Sequence, residues 1–360
     1  MFAAQWWLEI DQKRRKRMEN LQKLVRKNVW NLPEPDYSRW NNNGEMMLLD
    51  ANENPFNTPF NRMTNPTMPR IREALAAMTG VKSDCIYLSS GIDALFDTLL
   101  QTFCDPQHDN IVSISPTRRI YKQRAKVYDI QVIDVPLTPS DYTCKAETLV
   151  KACNKDTKMV VLCSPNDPTG NHLPIDELMK TLGSLNIIVV VDQSFLGFDD
   201  AESVRTLIAT YPNLVVFDAI LALWAYAMPP MTMLYAQPDI VKVLRKVAPQ
   251  NGFGERVEDE IIHILNDPFT CDNWITRIKT ERNNMIAALR TLSLPLKVLP
   301  SATNFLLIQV ENATAVYDYL IENGIRVANV SDLKGCENCL RITIGAKSEN
   351  AKLIGALRTL

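Results

Sequence analysis

Short apolar runs alternate with amphipathic stretches from about residue 86 to residue 236. Several runs are apolar at nearly every position, which is typical of strands that are covered on both faces. The stretches between them have helical periodicity. This alternation predicts an α/β domain with a mostly parallel seven-stranded sheet between two helical layers, whose ligands bind beyond the carboxyl ends of the strands. The predicted strands are Ile86–Leu88, Ile111–Ser115, Gln131–Pro136, Met159–Cys163, Ile187–Val191, Leu214–Asp218 and Thr232–Ala236, and the predicted helices include Ala94–Phe103, Pro174–Leu182 and Ser203–Thr210.

The pattern changes after a long helical stretch at Trp274–Leu292. Two predicted strands, Asn304–Val310 and Cys339–Ile344, flank a helix at Ala313–Asn323, and a last helix runs from Ser348 to the end. This order predicts a smaller α+β domain. We therefore divide the chain into an extension at 1–17, an N-terminal arm at 18–60 that packs on the small domain or on a partner subunit, a large domain at 61–265 and a small domain at 266–360.

The extension begins with apolar residues and ends in the basic run Lys13–Arg17, the reverse of a signal peptide. It is either a solvated tail or sequence upstream of the true start, with Met18 as the alternative start to Met1. The chain has no run of about 18 apolar residues, so we predict no membrane span.

Composition narrows the classes of function. Of the 360 residues, 46% are hydrophobic and 22% charged, and the net charge of −2 favours neither a nucleic-acid nor a membrane partner. Eight cysteines without a disulfide framework indicate reduced thiols and a cytoplasmic protein. The Cys336–Cys339 pair has the spacing of a redox pair or half a zinc site, but no second pair completes such a site, so we expect unlinked thiols and no metal. The chain has only 12 glycines, few for a phosphate-binding enzyme.

Three segments, in this order and spacing, carry a family resemblance. They are Leu49–Pro55 (LDANENP), Cys163–Asn171 (CSPNDPTGN) and Cys339–Gly345 (CLRITIG). Together they resemble pyridoxal-phosphate (PLP) aminotransferases of fold type I, most closely the histidinol-phosphate aminotransferases. The N-terminal sequence around Val29–Leu32 is similar to that of family members from Bacteroidetes. The resemblance runs from about Leu21 to the C-terminus, and it implies the fold type I architecture and a homodimer.

The resemblance also implies which residues remain from a cofactor and substrate site. Asp192 matches the carboxylate on the ring nitrogen, and Asn166 matches the group that bonds the ring's O3′ oxygen. Gly91 and Asp93 lie in the turn that holds the cofactor phosphate in the family. Arg341 and Tyr37 match substrate-binding positions.

The rest of that pocket is absent. A PLP aminotransferase needs a lysine amine for its covalent link to the cofactor, and the resemblance places that lysine at Ala222. Lys242 and Lys246 are the next lysines along the chain, and we expect them to be solvated helix charges. Seven further positions depart from the family: a hydroxyl is Leu221, the phosphate-binding arginine is Pro230, a serine of the phosphate turn is Ile92, the ring-stacking tyrosine is Arg118, the tyrosine that shares O3′ is Phe195, the partner's tyrosine is Met63 and a second substrate arginine is Ala328.

Several of these residues have two interpretations. Asp192 either acts on some ligand or is a strand-end carboxylate bonded to backbone donors. Asn166 is functional or belongs only to its Pro-rich turn. Arg341 binds an anion or a structural carboxylate. Arg118 and Arg119 either restore positive charge, with Arg118 stacked on a planar ligand, or face solvent.

We therefore predict a catalytically degenerate homologue of histidinol-phosphate aminotransferase that is a non-catalytic binding or regulatory protein. It has no catalytic residues, and no cofactor is bound covalently. One alternative is a protein that binds PLP or another small anion without a covalent link. The other is an active histidinol-phosphate transaminase with a misaligned lysine. A heterodimer with an active paralogue is a further arrangement that the sequence leaves open.

Overall fold

The structure is a computed structural model that describes residues 18–41, 46–56, 61–139, 141–219, 231–249 and 252–360. Its larger sheet has seven strands in the order β1-β7-β6-β5-β4-β2-β3. Strands β2 to β6 pair in parallel, while β7 runs antiparallel to both of its neighbours. The predicted mostly parallel seven-stranded sheet is confirmed. Its strands are β1 (Ile86–Ser89), β2 (Asn110–Ser115), β3 (Gln131–Pro136), β4 (Thr157–Cys163), β5 (Ile188–Asp192), β6 (Leu214–Ala219) and β7 (Thr232–Tyr235).

The continuous apolar runs follow from burial of the sheet on both faces. Along β5, Val189 and Val191 belong to the core cluster on one face, while Ile188 and Val190 belong to the cluster on the other. Because successive side chains of a strand point to opposite faces, a strand covered on both sides has to be apolar at every position.

Helices cover both faces of this sheet. The segment predicted as a helix at Ser203–Thr210 is instead a 3₁₀ helix, Val204–Ala209, because the Ser203 hydroxyl accepts a bond from the Arg205 N–H and tightens its first turn. The α-helices of this part are α1 (Lys27–Trp30), α2 (Pro69–Thr79), α3 (Ile92–Phe103), α4 (Arg119–Val127), α5 (Ala146–Ala152), α6 (Ile175–Leu182), α7 (Pro238–Arg245) and α8 (Glu255–Leu265), and short 3₁₀ helices lie at Ser38–Asn41 and Ser83–Cys85.

The second sheet has four antiparallel strands in the order β10-β11-β9-β8. It packs on helices through its own apolar cluster, as expected for the small α+β domain. Two strands were missed because they have only three and two residues. The elements are α9 (Pro268–Leu289), β8 (Leu296–Val298), β9 (Phe305–Val310), α10 (Ala313–Glu322), β10 (Ala328–Asn329), β11 (Cys339–Thr343) and α11 (Lys347–Leu357).

The N-terminal arm packs on the large domain rather than on the small one. Residues 18–24 are helical, and Leu21, Leu24, Val25 and Val29 are buried in the same cluster as α3. Its backbone is also bonded there, since the Arg26 N–H donates to the Thr102 carbonyl at 2.9 Å. The expected contact with the small domain is therefore wrong for this part of the arm. The domain boundaries at residues 60 and 265 stay predictions.

Two absences hold for the described residues. None of their helices combines the length and the apolar character that a membrane crossing requires. No cluster of three histidine, cysteine or acidic side chains suited to a metal ion occurs among them. Cys336 and Cys339 are free thiols, as expected.

Candidate functional site

The segments that follow the carboxyl ends of β2 and β4 line a cleft between the two domains. The cleft has a volume of about 370 Å³. It is lined from the large domain by Thr117, Arg118, Arg119, Ile120, Asp167 and Pro168 and from the small domain by Ala328, Asn329, Val330, Leu333 and Arg341. The resemblance predicts the cofactor and substrate in this place, and the sheet topology agrees with that position.

Asp192 ends β5 beneath this cleft and is fully buried, with 0% exposure. Its Oδ2 accepts hydrogen bonds from Arg118 Nη1 at 2.8 Å and from the Tyr121 hydroxyl. Its Oδ1 accepts from the Ser194 N–H at 2.9 Å and from the Ser194 hydroxyl. Each carboxylate oxygen thus has two donors. Of these four donors, only the Ser194 N–H belongs to the backbone. The expectation of backbone donors alone is corrected, since side chains supply the other three.

Arg118 separates Asp192 from the cleft. Its side chain is 18% exposed, lines the cleft and forms the ion pair with Asp192. Its guanidinium carbon also lies 5.0 Å from the centroid of the Phe195 ring, a cation–π contact. The prediction that Arg118 faces solvent is therefore wrong. Burial opposes the charge, but the neighbouring Asp192 outweighs it and raises the pKa of Arg118.

Tyr121 completes this cluster and was missed from the sequence. It lies on α4, is fully buried, and burial raises its pKa well above the ordinary value, so its hydroxyl stays a donor to Asp192. A buried tyrosine hydroxyl needs a partner. That rule indicates that Tyr121 has an acceptor, but it does not identify which one.

Asn166 is fully buried and satisfied within the protein. Its amide nitrogen donates to the Pro116 carbonyl at 2.9 Å and to Thr169 Oγ1 at 2.7 Å, while its oxygen accepts from the Thr117 hydroxyl at 2.7 Å. These bonds tie the turn after β4 to the loop after β2. These bonds agree with the structural interpretation of Asn166 and not with the functional one.

The other two arginines of the cleft are also paired with aspartates. Arg341 Nη1 donates to Asp167 Oδ1 at 2.6 Å, which is the structural carboxylate considered above. Arg119 is exposed and bonds both oxygens of Asp332. Both pairs join the large domain to the small one. Ala328, which the resemblance gives as the position of the second substrate arginine, lies directly opposite Arg341 in the β10–β11 pairing.

The remaining predicted site residues are spread more widely. Gly91 precedes α3 with a φ of 94°, a conformation that favours glycine, and Asp93 is exposed in the first turn of that helix. Tyr37 lines a different cavity, together with Arg72 and Arg245. Met63 is 51% exposed. Three positions, Ala222, Leu221 and Pro230, lie outside the described residues.

The described residues do not fit the ring of PLP. The carboxylate that would meet the pyridine nitrogen already bonds a protein cation, and the amide that would meet O3′ has no free hydrogen. The sequence holds no lysine between Lys180 and Lys242. Lys242 pairs with Glu34, and Lys246 donates to the Trp30 carbonyl at 2.7 Å, so Lys246 is not the solvated charge that we expected.

Asp218, near the end of β6, makes stability depend on pH. Burial raises its pKa from 3.8 to about 7, although Arg205 lies 3.4 Å away. Stability contributed by the protonated carboxyl is fully present below pH 3.8 and is lost as the pH rises to about 7. We expect Asp218→Asn to remove this loss, amounting to up to a few kcal/mol, and to flatten the pH dependence of the unfolding free energy measured in urea. Asp318→Asn, on an exposed face of α10, should leave the slope unchanged.

Comparison with known proteins identifies the family. Residues 47–359 match the family model of aminotransferase class I and II. The chain is 35% identical to the histidinol-phosphate aminotransferase of Parabacteroides distasonis over 344 residues, covering 95% of this chain and 99% of the relative. It is 34% identical to that of Bacteroides fragilis, with the same two shares.

Solved structures agree on the fold. The histidinol-phosphate aminotransferase of Clostridium acetobutylicum matches with a TM-score of 0.73 at 19% identity, covering 82% of this chain and 90% of that one. That of Sinorhizobium meliloti, in complex with pyridoxal-5'-phosphate, matches with a TM-score of 0.73 at 20% identity, covering 83% and 82%. By its sequence relatives and by its fold, the chain belongs to the aminotransferase class I and II family.

Proposed function

We propose that this chain is a non-transaminating member of its family, which works by binding rather than by catalysis. The observation that supports this most directly is the buried ion pair between Arg118 and Asp192. It is consistent with the sequence, in which the position of the family's lysine is Ala222.

The ion pair supplies from the protein what the cofactor ring supplies in the family. A buried carboxylate at the end of β5 is stable only with a cation and hydrogen-bond donors around it. A protonated pyridine nitrogen is one such cation, and the guanidinium of Arg118 is another. Because Arg118 also lies over Phe195, its planar group has both an ion-pair partner and a ring to stack on. An incoming PLP ring would have to displace the Arg118 guanidinium from the buried Asp192 carboxylate.

The other two arginines of the cleft are also neutralised by aspartates. The substrate arginine Arg341 already bonds Asp167, and Arg119 bonds Asp332. An anionic substrate would compete with these carboxylates for each guanidinium. Three internal ion pairs therefore support a cleft that is complete without cofactor or substrate.

The second candidate is an active histidinol-phosphate transaminase. Its support is the 35% identity to a relative of that name over nearly the whole chain. It requires a lysine from elsewhere in the sequence to reach Asp192, with Arg118 moved aside. A third arrangement, PLP or another small anion held without a covalent link, requires no lysine, but the arginines of the cleft would have to leave their aspartates.

One experiment distinguishes these candidates. Purified protein is titrated with PLP, reduced with borohydride, digested and mapped by mass spectrometry. We expect no lysine adduct and no cofactor retained after gel filtration, because the ring site is filled and no amine is placed to react. The Parabacteroides distasonis relative, treated in parallel, is the positive control. A stoichiometric adduct on one lysine would establish the transaminase candidate, while retained but unlinked PLP would establish the third arrangement.

The quaternary structure and cellular location stay proposals. We propose a cytoplasmic homodimer, the assembly that the family resemblance implies. Light scattering after gel filtration measures the mass in solution, and a mass near that of one chain would contradict the dimer.

A further inference from the structure

Among the described residues, no carboxylate forms an ion pair with Arg72 or Arg245, which both lie outside the cleft. Arg72 lies on α2, and Arg245 lies in the last turn of α7. Arg72 bonds the carbonyls of Thr67 at 2.7 Å and Ser83 at 2.9 Å. Arg245 Nη2 is buried and has no hydrogen-bond acceptor. Most buried polar groups are satisfied, so an unpaired guanidinium nitrogen requires an explanation.

Both arginines line one cavity along the free edge of β1. Its volume is about 100 Å³, and its walls include Tyr37 and Tyr87. Burial and the nearby charge of Arg245 lower the pKa of Arg72 to about 10. Burial also lowers the pKa of Arg245. Two cations are therefore held close together, at a cost in free energy, around a space large enough for a small molecule.

Nearby acidic groups do not neutralise the pair. Glu73 and Asp84 influence the pKa of Arg72, but both are exposed and neither forms an ion pair with these arginines in the described part of the chain. Nor does a purely structural role account for Arg245, since the described residues give it no hydrogen bond. Asp84 acts on both arginines from a distance, but no carboxylate of the described residues contacts either guanidinium.

We propose that this cavity is a binding site for a small oxyanion of the phosphate class, gripped between Arg72 and Arg245. A tetrahedral oxyanion offers acceptors in several directions, so both guanidinium groups can bond it at once. Tyr37 is placed on the cavity wall to add a neutral donor. The site is separate from the cleft and does not depend on whether the chain transaminates. It gives a role to Tyr37, which the sequence associated with the substrate.

The test is the thermal unfolding midpoint during a titration with inorganic phosphate, with chloride added to keep the ionic strength constant and no PLP present. A ligand that binds only the folded state raises that midpoint. We expect a rise of about 2 °C when phosphate reaches tenfold above its dissociation constant. Acetate at the same concentration should have a smaller effect, because it has fewer oxygens to share between two arginines. Line broadening of the phosphorus-31 signal reports the same binding without unfolding.

The informative variant is Arg245→Met. It removes an unpaired buried donor and a like charge, so we expect its midpoint in chloride alone to be unchanged or higher, whereas its response to phosphate should be lost. Lys242→Met is the matched control, because it removes the same charge from the same helix but from an exposed pair with Glu34. It should keep the full response to phosphate.

Three outcomes would overturn the proposal. They are no response of the natural chain beyond that of chloride, an equal response in Arg245→Met, and an equal loss in Lys242→Met. The second would assign the phosphate to another place, such as the start of α3 after Gly91. None of these outcomes bears on the lysine mapping, so the site and the proposed function fail independently.

Discussion

Replacing Arg118 by methionine is expected to destabilise the fold by about 3–5 kcal/mol, because it leaves Asp192 buried without a cation. The carboxylate would keep its bonds from Tyr121 and Ser194 but would lose the only positive charge that contacts it among the described residues. The unfolding free energy is measured in urea near neutral pH. Methionine has a similar length, so the loss reports mainly on charge and not on a cavity.

The neighbouring arginine provides the matched control. Arg119→Met removes the same group one residue further along the chain, but from an exposed pair with Asp332. Exposed pairs contribute about 0–1 kcal/mol. A loss in Arg118→Met no larger than in Arg119→Met would contradict the buried pair. Adding Asp192→Asn to Arg118→Met should recover much of the loss, since the two residues act as one unit.

The strands of the large sheet were predicted well because a strand covered on both faces has an apolar composition that is visible in its own few residues. The central strands β4, β5 and β6 are short, mostly apolar runs, and burial on two faces requires that composition wherever the strand lies. The elements that were missed, β8 and β10, are too short to show a period. The contact of the first part of the arm with the large domain was not predicted, because an apolar helix face does not identify its partner surface.

The candidate site was predicted less completely, since its contacts join distant parts of the chain. Asp192 and Asn166 were found through the family resemblance. Their partners could not be found in that way, because the ion pair joins residues 74 positions apart and the Asn166–Thr117 bond joins residues 49 apart. Arg118 stood out only as a charge in place of a ring. The position of its guanidinium depends on the path of the loop after β2, and no local sequence pattern determines that path.

The ion pair and the proposed loss of the lysine at Ala222 support the same conclusion by independent arguments. Loss of the lysine alone would leave a buried carboxylate and an open ring site, a combination that is unstable without cofactor. A guanidinium in the ring site removes this problem, because it neutralises Asp192 and fills part of the space. A cation beside Asp192 stabilises the fold when no PLP is bound, and Arg118 supplies it.

This argument predicts that lysine by itself does not restore the cofactor. In Ala222→Lys, we expect no stoichiometric PLP adduct after borohydride reduction, because Arg118 still pairs with Asp192 and the position of the phosphate-binding arginine is still Pro230. Intact mass before and after reduction provides the measurement. The double variant Ala222→Lys with Arg118→Tyr, which removes the competing cation, should retain more PLP than either single variant. A full adduct in Ala222→Lys alone would mean that the ring site is open, and that the lost lysine is the only barrier to cofactor binding.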